Sequence, residues 1–258
     1  MAQSYRRIDS ELACQIQLVM TDVDGTLIQR GDTLSSVVLE AIARFEESGV
    51  TVGFVSGRTL AGLESLALDL GISGPMVAEN GGVAKLKAGG GAIDLGYSHQ
   101  PAIEALEKLK GLFPGAIEER EDNKYRSVDV VFRTHGINTE ELRRHLEDVE
   151  LLDSGYILHL VQKGVSKGRT LMKLLPKVGD ETLSATEVMV FGDSLTDLSL
   201  FEVFPHSVLI ANPRLPSEHR KMLRNAAKYA SKLPFGDGFA QVASHVLDGR
   251  LVYFSFEG

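Results

Sequence analysis

The chain has 258 residues, 43% of them hydrophobic, enough to bury a sizeable core as one large domain or two modest ones. Its formal charge of −8 argues against a general nucleic-acid binder, because affinity for a phosphate backbone comes from clustered Lys and Arg. Cys14 is the sole cysteine, which excludes an intrachain disulfide, and no apolar run reaches the roughly 18 residues of a membrane span, so a reducing, cytoplasmic setting is expected.

Residues 1–15 are too polar for a signal peptide and read as a leader, frayed or loosely docked. The apolar run Ile16 to Met20 then reads as a buried strand ending in Thr21-Asp22-Val23-Asp24-Gly25-Thr26. Asp22 and Asp24 therefore stand at the strand's C-terminal mouth, the edge where open α/β sheets bind ligands. Two carboxylates held so close repel each other unless a cation neutralises them, and Mg²⁺ is the most available hard cation for paired oxygens. The same Asp-Gly pair also suits a plain surface turn.

Val38, Ala41, Ile42 and Phe45 share one face of a helix predicted over residues 33–49, with Gly49 as its stop. A strand from Thr51 to Val55 follows and ends in Ser56-Gly57-Arg58. A helix from Thr59 to Leu70 and a strand from Pro75 to Ala78 come next. Strands alternating with helices predict an α/β fold with a Rossmann-like, doubly wound parallel sheet. After Gly81-Gly82 the pattern changes. Helices at Pro101–Leu112 and Thr139–Glu147 and strands near Tyr125–Arg133 and Tyr156–Leu160 suggest an inserted α+β unit over residues 83–159. Core alternation resumes with a helix from Lys167 to Leu175, and a strand from Val188 to Phe191 ends in Gly192-Asp193-Ser194-Leu195-Thr196-Asp197. A further helix runs through Phe201, a strand covers Ser207–Ala211, and helices cover Pro216–Ala227 and Phe239–Leu247. Residues 16–82 and 160–258 would form the core.

Four segments in order, Asp22-Val23-Asp24-Gly25-Thr26, Ser56, a Lys near residues 163–167, and Gly192-Asp193 to Asp197, resemble the motifs of the haloacid-dehalogenase-like phosphatases. The insertion lies where one subclass carries a large α/β cap that closes over the site and selects the substrate. The resemblance implies that Asp22 is a nucleophile forming an aspartyl phosphate and that Asp24 is the acid/base, with its backbone carbonyl on Mg²⁺. It implies that Asp193 completes the metal's protein ligands with Asp22, while Asp197 is a nearby carboxylate. Ser56 and Gly57 would receive the phosphoryl group. Lys167, favoured over Lys163 because it directly precedes Gly168 and a helix, would offset the charge on the phosphate and on Asp22.

Arg58, Asn80, Arg126 and His159 are candidates for the substrate cleft, with Lys124 a weaker one. Arg126 suits a second anionic group on the substrate, whereas a lone His in an apolar strand also suits a packed structural role. Thr196 departs from the Asn that many members of the subclass carry before the last aspartate, which puts the positioning of Lys167 in question. Together these features imply Mg²⁺-dependent hydrolysis of a small phosphate monoester, without nucleic-acid or membrane partners. The segments at Ser56, Glu79-Asn80-Gly81-Gly82 and Ser154-Gly155-Tyr156 look most like archaeal-type phosphoglycolate phosphatases and sucrose-phosphate phosphatases. Alternatives are a phosphosugar mutase using the same aspartate pair, and a phospho-aspartate signalling or binding module.

Overall fold

The computed structural model describes residues 1–29, 31–179 and 182–257; Arg30, Asp180, Glu181 and Gly258, all within the expected core unit, lie outside it. The N-terminus is not frayed. Gln3–Ser4 forms β1, Ser10–Gln15 forms α1 under an Asp9 side-chain cap, and Tyr5, Ile8 and Ala13 are buried. Its apolar residues are too widely spaced to announce a helix, and tertiary packing supplies what local propensity does not.

The first half of the core comprises β2 (Leu18–Thr21), α2 (Ser36–Glu47), β3 (Thr51–Val55), α3 (Leu60–Leu70), β4 (Met76–Ala78) and β5 (Val83–Lys85). A second unit contains α4 (Gln100–Leu112), β6 (Ile117–Glu119), β7 (Val130–Thr134), α5 (Thr139–Arg143), β8 (Val149–Asp153) and β9 (Leu158–Gln162). The chain then returns through α6 (Lys167–Leu174), β10 (Val188–Gly192), α7 (Leu198–Val203), β11 (His206–Ala211), α8 (Ser217–Ala226), β12 (Tyr229–Pro234) and α9 (Phe235–Glu257).

The large sheet has the order β1-β12-β11-β10-β2-β3-β4-β5, parallel throughout except for the β4–β5 pair. Both faces are covered, as parallel sheets require. Alternate strand residues serve opposite layers: Val19, Val52, Phe54 and Phe191 pack with α2, α3 and α9, whereas Leu18, Met20, Val55 and Val190 pack with α6, α7 and α8. The second sheet, β6-β7-β9-β8, is antiparallel and buries its own core of Leu106, Leu109, Val130, Phe132 and Leu160 against α4. Among the described residues no helix is long and apolar enough to cross a membrane.

Several boundaries differ from the sequence reading. Val83 begins a strand of the large sheet, so the expected junction at residue 83 falls three strand residues early. The segment 125–133 is a 3-10 turn through Tyr125 followed by β7, because Asn123 takes the backbone of Val131 and interrupts the strand pattern. The helix expected to reach Glu147 stops at Arg143, and the sequence pattern does not announce β6, which has three residues, two of them Glu, β8, whose apolar residues are interrupted by Glu150, or β12, which carries Lys232 and ends in Pro234.

Candidate active site

Parallel β2 and β10 place two acidic loops side by side. The Asp22 N–H donates to the Phe191 carbonyl at 2.9 Å, extending the β2–β10 pairing into the site. Gly25 has φ +95°, and a Cβ there would collide with the Asp193 carboxylate, so glycine lets the first loop close on the second. Asp193 accepts from Thr26 Oγ1 at 2.8 Å and from Asn212 Nδ2 at 2.7 Å. Asp197 Oδ2 accepts the N–H groups of Asp193 at 3.0 Å and Ser194 at 2.9 Å, while its Oδ1 takes Lys167 Nζ at 2.7 Å. Lys167, at the start of α6 behind a Ser166 cap, also lies 3.4 Å from Asp22 Oδ1. That contact is an ion pair without hydrogen-bond geometry, and Asp22 Oδ1 remains buried with no hydrogen bond.

Three buried carboxylates thus face one ammonium. Burial, reinforced by Asp197 and Asp24 and only partly countered by Lys167, pushes the Asp22 carboxyl up to about 7. Burial with Asp197 and Asp22 likewise holds Asp193 well above the usual carboxylate range. Burial opposes the Lys167 charge, but Asp197 and Asp22 outweigh it and hold the ammonium above the ordinary lysine value. Oxygens of Asp22, Asp193 and Asp197 lie within 4.8 Å of one another, and this excess of negative charge with an unpaired buried oxygen suits a divalent cation. Asp197 spends both oxygens on Lys167 and the 193–194 backbone. The Asp24 side chain is outside the cluster, which leaves only its carbonyl for the metal role expected of it.

Asp24 instead meets Arg58, Nε to Oδ2 at 2.6 Å and Nη2 to Oδ1 at 2.7 Å. Ser56, at the end of β3, is buried and its N–H bonds the Val77 carbonyl. A cleft of about 260 Å³ is floored by Asp22, Asp24, Ser56 and Lys167 and walled from the second unit by Arg120, Arg133, Tyr156 and His159. A larger cavity of about 480 Å³ between β11, β12 and α8 touches Asp193 but lacks the other aspartates, the serine and the lysine.

Lys163 is exposed and away from the cluster, so Lys167 is the lysine of the site. Lys124 is exposed and lies over the Tyr125 ring, not in the cleft. Arg126 lines the cleft with Arg58 and Asn80, but its side chain is only 5% exposed and its guanidinium is engaged by Asp129, Asp122 and the Gly57 carbonyl. His159 lines the cleft and is also packed, its Nδ1 2.8 Å from Asp129. Asn80, at φ +56°, reaches Asp129 at 3.3 Å. Thr196 bonds Ser194 Oγ at 2.8 Å, and Asp197 secures Lys167 without an asparagine neighbour.

Two residues escaped sequence reasoning. Glu79, buried at φ +50°, accepts the N–H groups of Ser127, Val128 and Asp129. Asp129 is fully buried among Arg126, His159 and Asn80. The one available signal was a carboxylate inside the apolar run Val128-Asp129-Val130-Val131-Phe132, where an unpaired charge would be prohibitive.

Residues 19–127 and 115–229 match the haloacid dehalogenase-like hydrolase family. A phosphoglycolate phosphatase of Methanoculleus marisnigri is 31% identical over 232 residues, spanning 88% of this chain and 94% of that protein. Another, of Thermoplasma volcanium, is 29% identical across 89% of this chain and 98% of its own. The crystal structure of Thermoplasma acidophilum 0175 superposes with a TM-score of 0.76 at 26% identity, covering 90% of this chain and 98% of that one. A haloacid dehalogenase-like hydrolase from Bacteroides thetaiotaomicron shares the fold at a TM-score of 0.68 and 20% identity, covering 90% and 99%. With the paired aspartate loops at adjacent strand ends and a second α/β unit over them, the chain belongs to the haloacid dehalogenase-like hydrolases.

Proposed function

We propose that this enzyme hydrolyses a small phosphate monoester through a phosphorylated Asp22, with Mg²⁺ as its metal. Phosphoglycolate is the first candidate and a sugar phosphate the second. The enzyme class, a phosphatase, follows from the family and from relatives named as phosphatases. The observation that carries the mechanism is Asp22 Oδ1, a buried oxygen at the cleft floor with no hydrogen bond, 3.4 Å from an ammonium.

In the first step a carboxylate oxygen of Asp22 forms a bond to phosphorus as the ester P–O bond breaks, and the departing oxygen takes a proton from Asp24. Arg58 aims that carboxyl group. In the second step Asp24 takes a proton from water, whose oxygen attacks phosphorus and returns Asp22 as a carboxylate. Lys167 and the Ser56 hydroxyl meet the transferring group's charge throughout. Mg²⁺, held by Asp22, Asp193 and the Asp24 carbonyl with Asp197 behind them, would neutralise the phosphoryl oxygens.

The second α/β unit, in this reading, is a cap: its Arg120, Arg133, Tyr156 and His159 face the leaving group and discriminate among esters. A carboxylate at that end, as in phosphoglycolate, suits the arginines and agrees with the names of the relatives. The test is inorganic phosphate release from phosphoglycolate, sucrose 6-phosphate, hexose phosphates and nucleotides, with Mg²⁺ or with chelator, and Asp22→Asn as the blank. Mg²⁺-dependent release concentrated on one ester supports the reading; a folded protein silent on all of them rejects it.

A further inference from the structure

Three side chains surround Gly57, and all three are bound to one carboxylate. Arg126 Nη1 donates to the Gly57 carbonyl at 3.0 Å and to Asp129 Oδ1 at 2.6 Å. His159 and Asn80 stand so close that a Cβ on Gly57 would lie 2.9 Å from His159 Cε1 and 3.2 Å from the Asn80 amide. Both also bond Asp129 Oδ2, at 2.8 and 3.3 Å. Asp129 is 0% exposed and belongs to the cap side of the molecule, just before β7, while Gly57 belongs to the loop after β3 in the core.

The consequence follows from peptide geometry. The Gly57 carbonyl and the Arg58 N–H share one planar trans peptide and point in opposite directions. While Arg126 holds the carbonyl toward the cap, the N–H must point the other way, and it faces Ser56 Oγ at 3.4 Å. The Asn80 and Glu79 N–H groups hold the Ser56 and Arg58 carbonyls on either side, but among the described residues the Gly57 carbonyl itself is held by Arg126, and without it the glycine peptide can turn this donor away from Ser56. We infer that Arg126, anchored by Asp129, is a positioning residue that lets the cap set the geometry of the phosphate-binding loop, so that turnover of every ester depends on it whether or not the leaving group touches the cap. This inference rests on the phosphatase reading above and assigns Arg126 a different task from the substrate contact its sequence suggested.

The experiment compares Arg126→Met and Asp129→Asn with the parent enzyme on phosphoglycolate and on p-nitrophenyl phosphate, which has no second anionic group, alongside calorimetric titration with inorganic phosphate. The expected result is a loss of kcat/KM of about tenfold or more, by the same factor for both esters, with weaker phosphate binding. Added guanidinium ion should restore part of the rate to Arg126→Ala. A loss confined to phosphoglycolate would instead make Arg126 a substrate ligand. A lowered melting temperature with unchanged kinetics and phosphate affinity would make the network purely structural, and either outcome overturns the inference. If the parent enzyme hydrolyses neither ester, it is the functional reading that falls, and the phosphate titration still decides whether the cap sets the loop.

Discussion

Arg58 and Asp24 are joined by two parallel hydrogen bonds at 2.6 and 2.7 Å, so the carboxyl group assigned to proton transfer is held at both oxygens by the residue that ends the second motif. Such bidentate pairing fixes orientation as well as charge. Arg58→Leu is expected to lower kcat by about tenfold to a hundredfold, because Asp24 loses its aim. The pair is about one-third exposed, so the stability change should stay within about 1 kcal/mol. Steady-state kinetics beside a thermal melt check both parts. An unchanged kcat would show that Asp24 needs no such aim.

Among the described residues Lys167 is the cation ion-paired with Asp22 and Asp197, and its removal leaves buried charge uncompensated. Lys167→Met should cost roughly 3–5 kcal/mol and abolish phosphate release. Denaturant unfolding in chelator measures the first effect. Adding Mg²⁺ should return part of the lost stability, since a divalent cation meets the same carboxylates.

The Asp22 carboxyl, raised from 3.8 to about 7 in the folded chain, binds its proton more tightly there than when unfolded. Its contribution therefore favours folding at low pH and is lost as pH rises from about 4 through 7. In metal-free protein at pH 8, Asp22→Asn should melt higher than the parent, and the difference should shrink as pH falls toward 5. Mg²⁺ should narrow the gap at pH 8 by stabilising the parent. Equal melting curves in chelator at pH 8 would contradict the assigned burial of charge.

Asp129 behaves in the opposite sense. Burial raises its pKa, but His159 and Arg126 together outweigh burial and hold it below the ordinary carboxylate range. Its contribution is present above about pH 4 and is lost as pH falls below that. Hydrogen exchange of residues 127–131 should quicken on acidification in the parent more steeply than in Asp129→Asn, in which exchange should already be fast at neutral pH.

The floor of the cleft was legible because it is written locally. Asp22, Asp24, Ser56 and Asp193 each follow an apolar strand within three residues, and the parallel order β10-β2-β3 brings those strand ends together without further instruction. The cap-side network was not, because Glu79 and Asp129 are separated by 50 residues and their partners are backbone N–H groups and side chains that adjoin only after folding. The sequence marks Arg126 as a cleft candidate, which it is, but its partners Asp129 and the Gly57 carbonyl meet it only after folding. The leader was misread because its one helical turn of burial depends on α9, where Arg250 donates to the carbonyls of Ala13 and Ile16.

The chain leaves and re-enters the core at one place. Tyr97 on the outgoing segment donates to the Gly164 carbonyl at 2.9 Å, and the Ser98 N–H bonds the Gln162 side chain at 2.8 Å. The outgoing and returning segments are thus stitched together at the edge of the second unit. With its ends already held together, lengthening a loop inside that unit costs closure entropy that grows slowly with length, whereas replacing the whole unit would also remove the contacts of Arg126 to Gly57 and of the 127–129 backbone to Glu79. Insertions should therefore be tolerated in loops of the second unit remote from residues 126–129, while that segment stays tied to the core whose sheet places the aspartates.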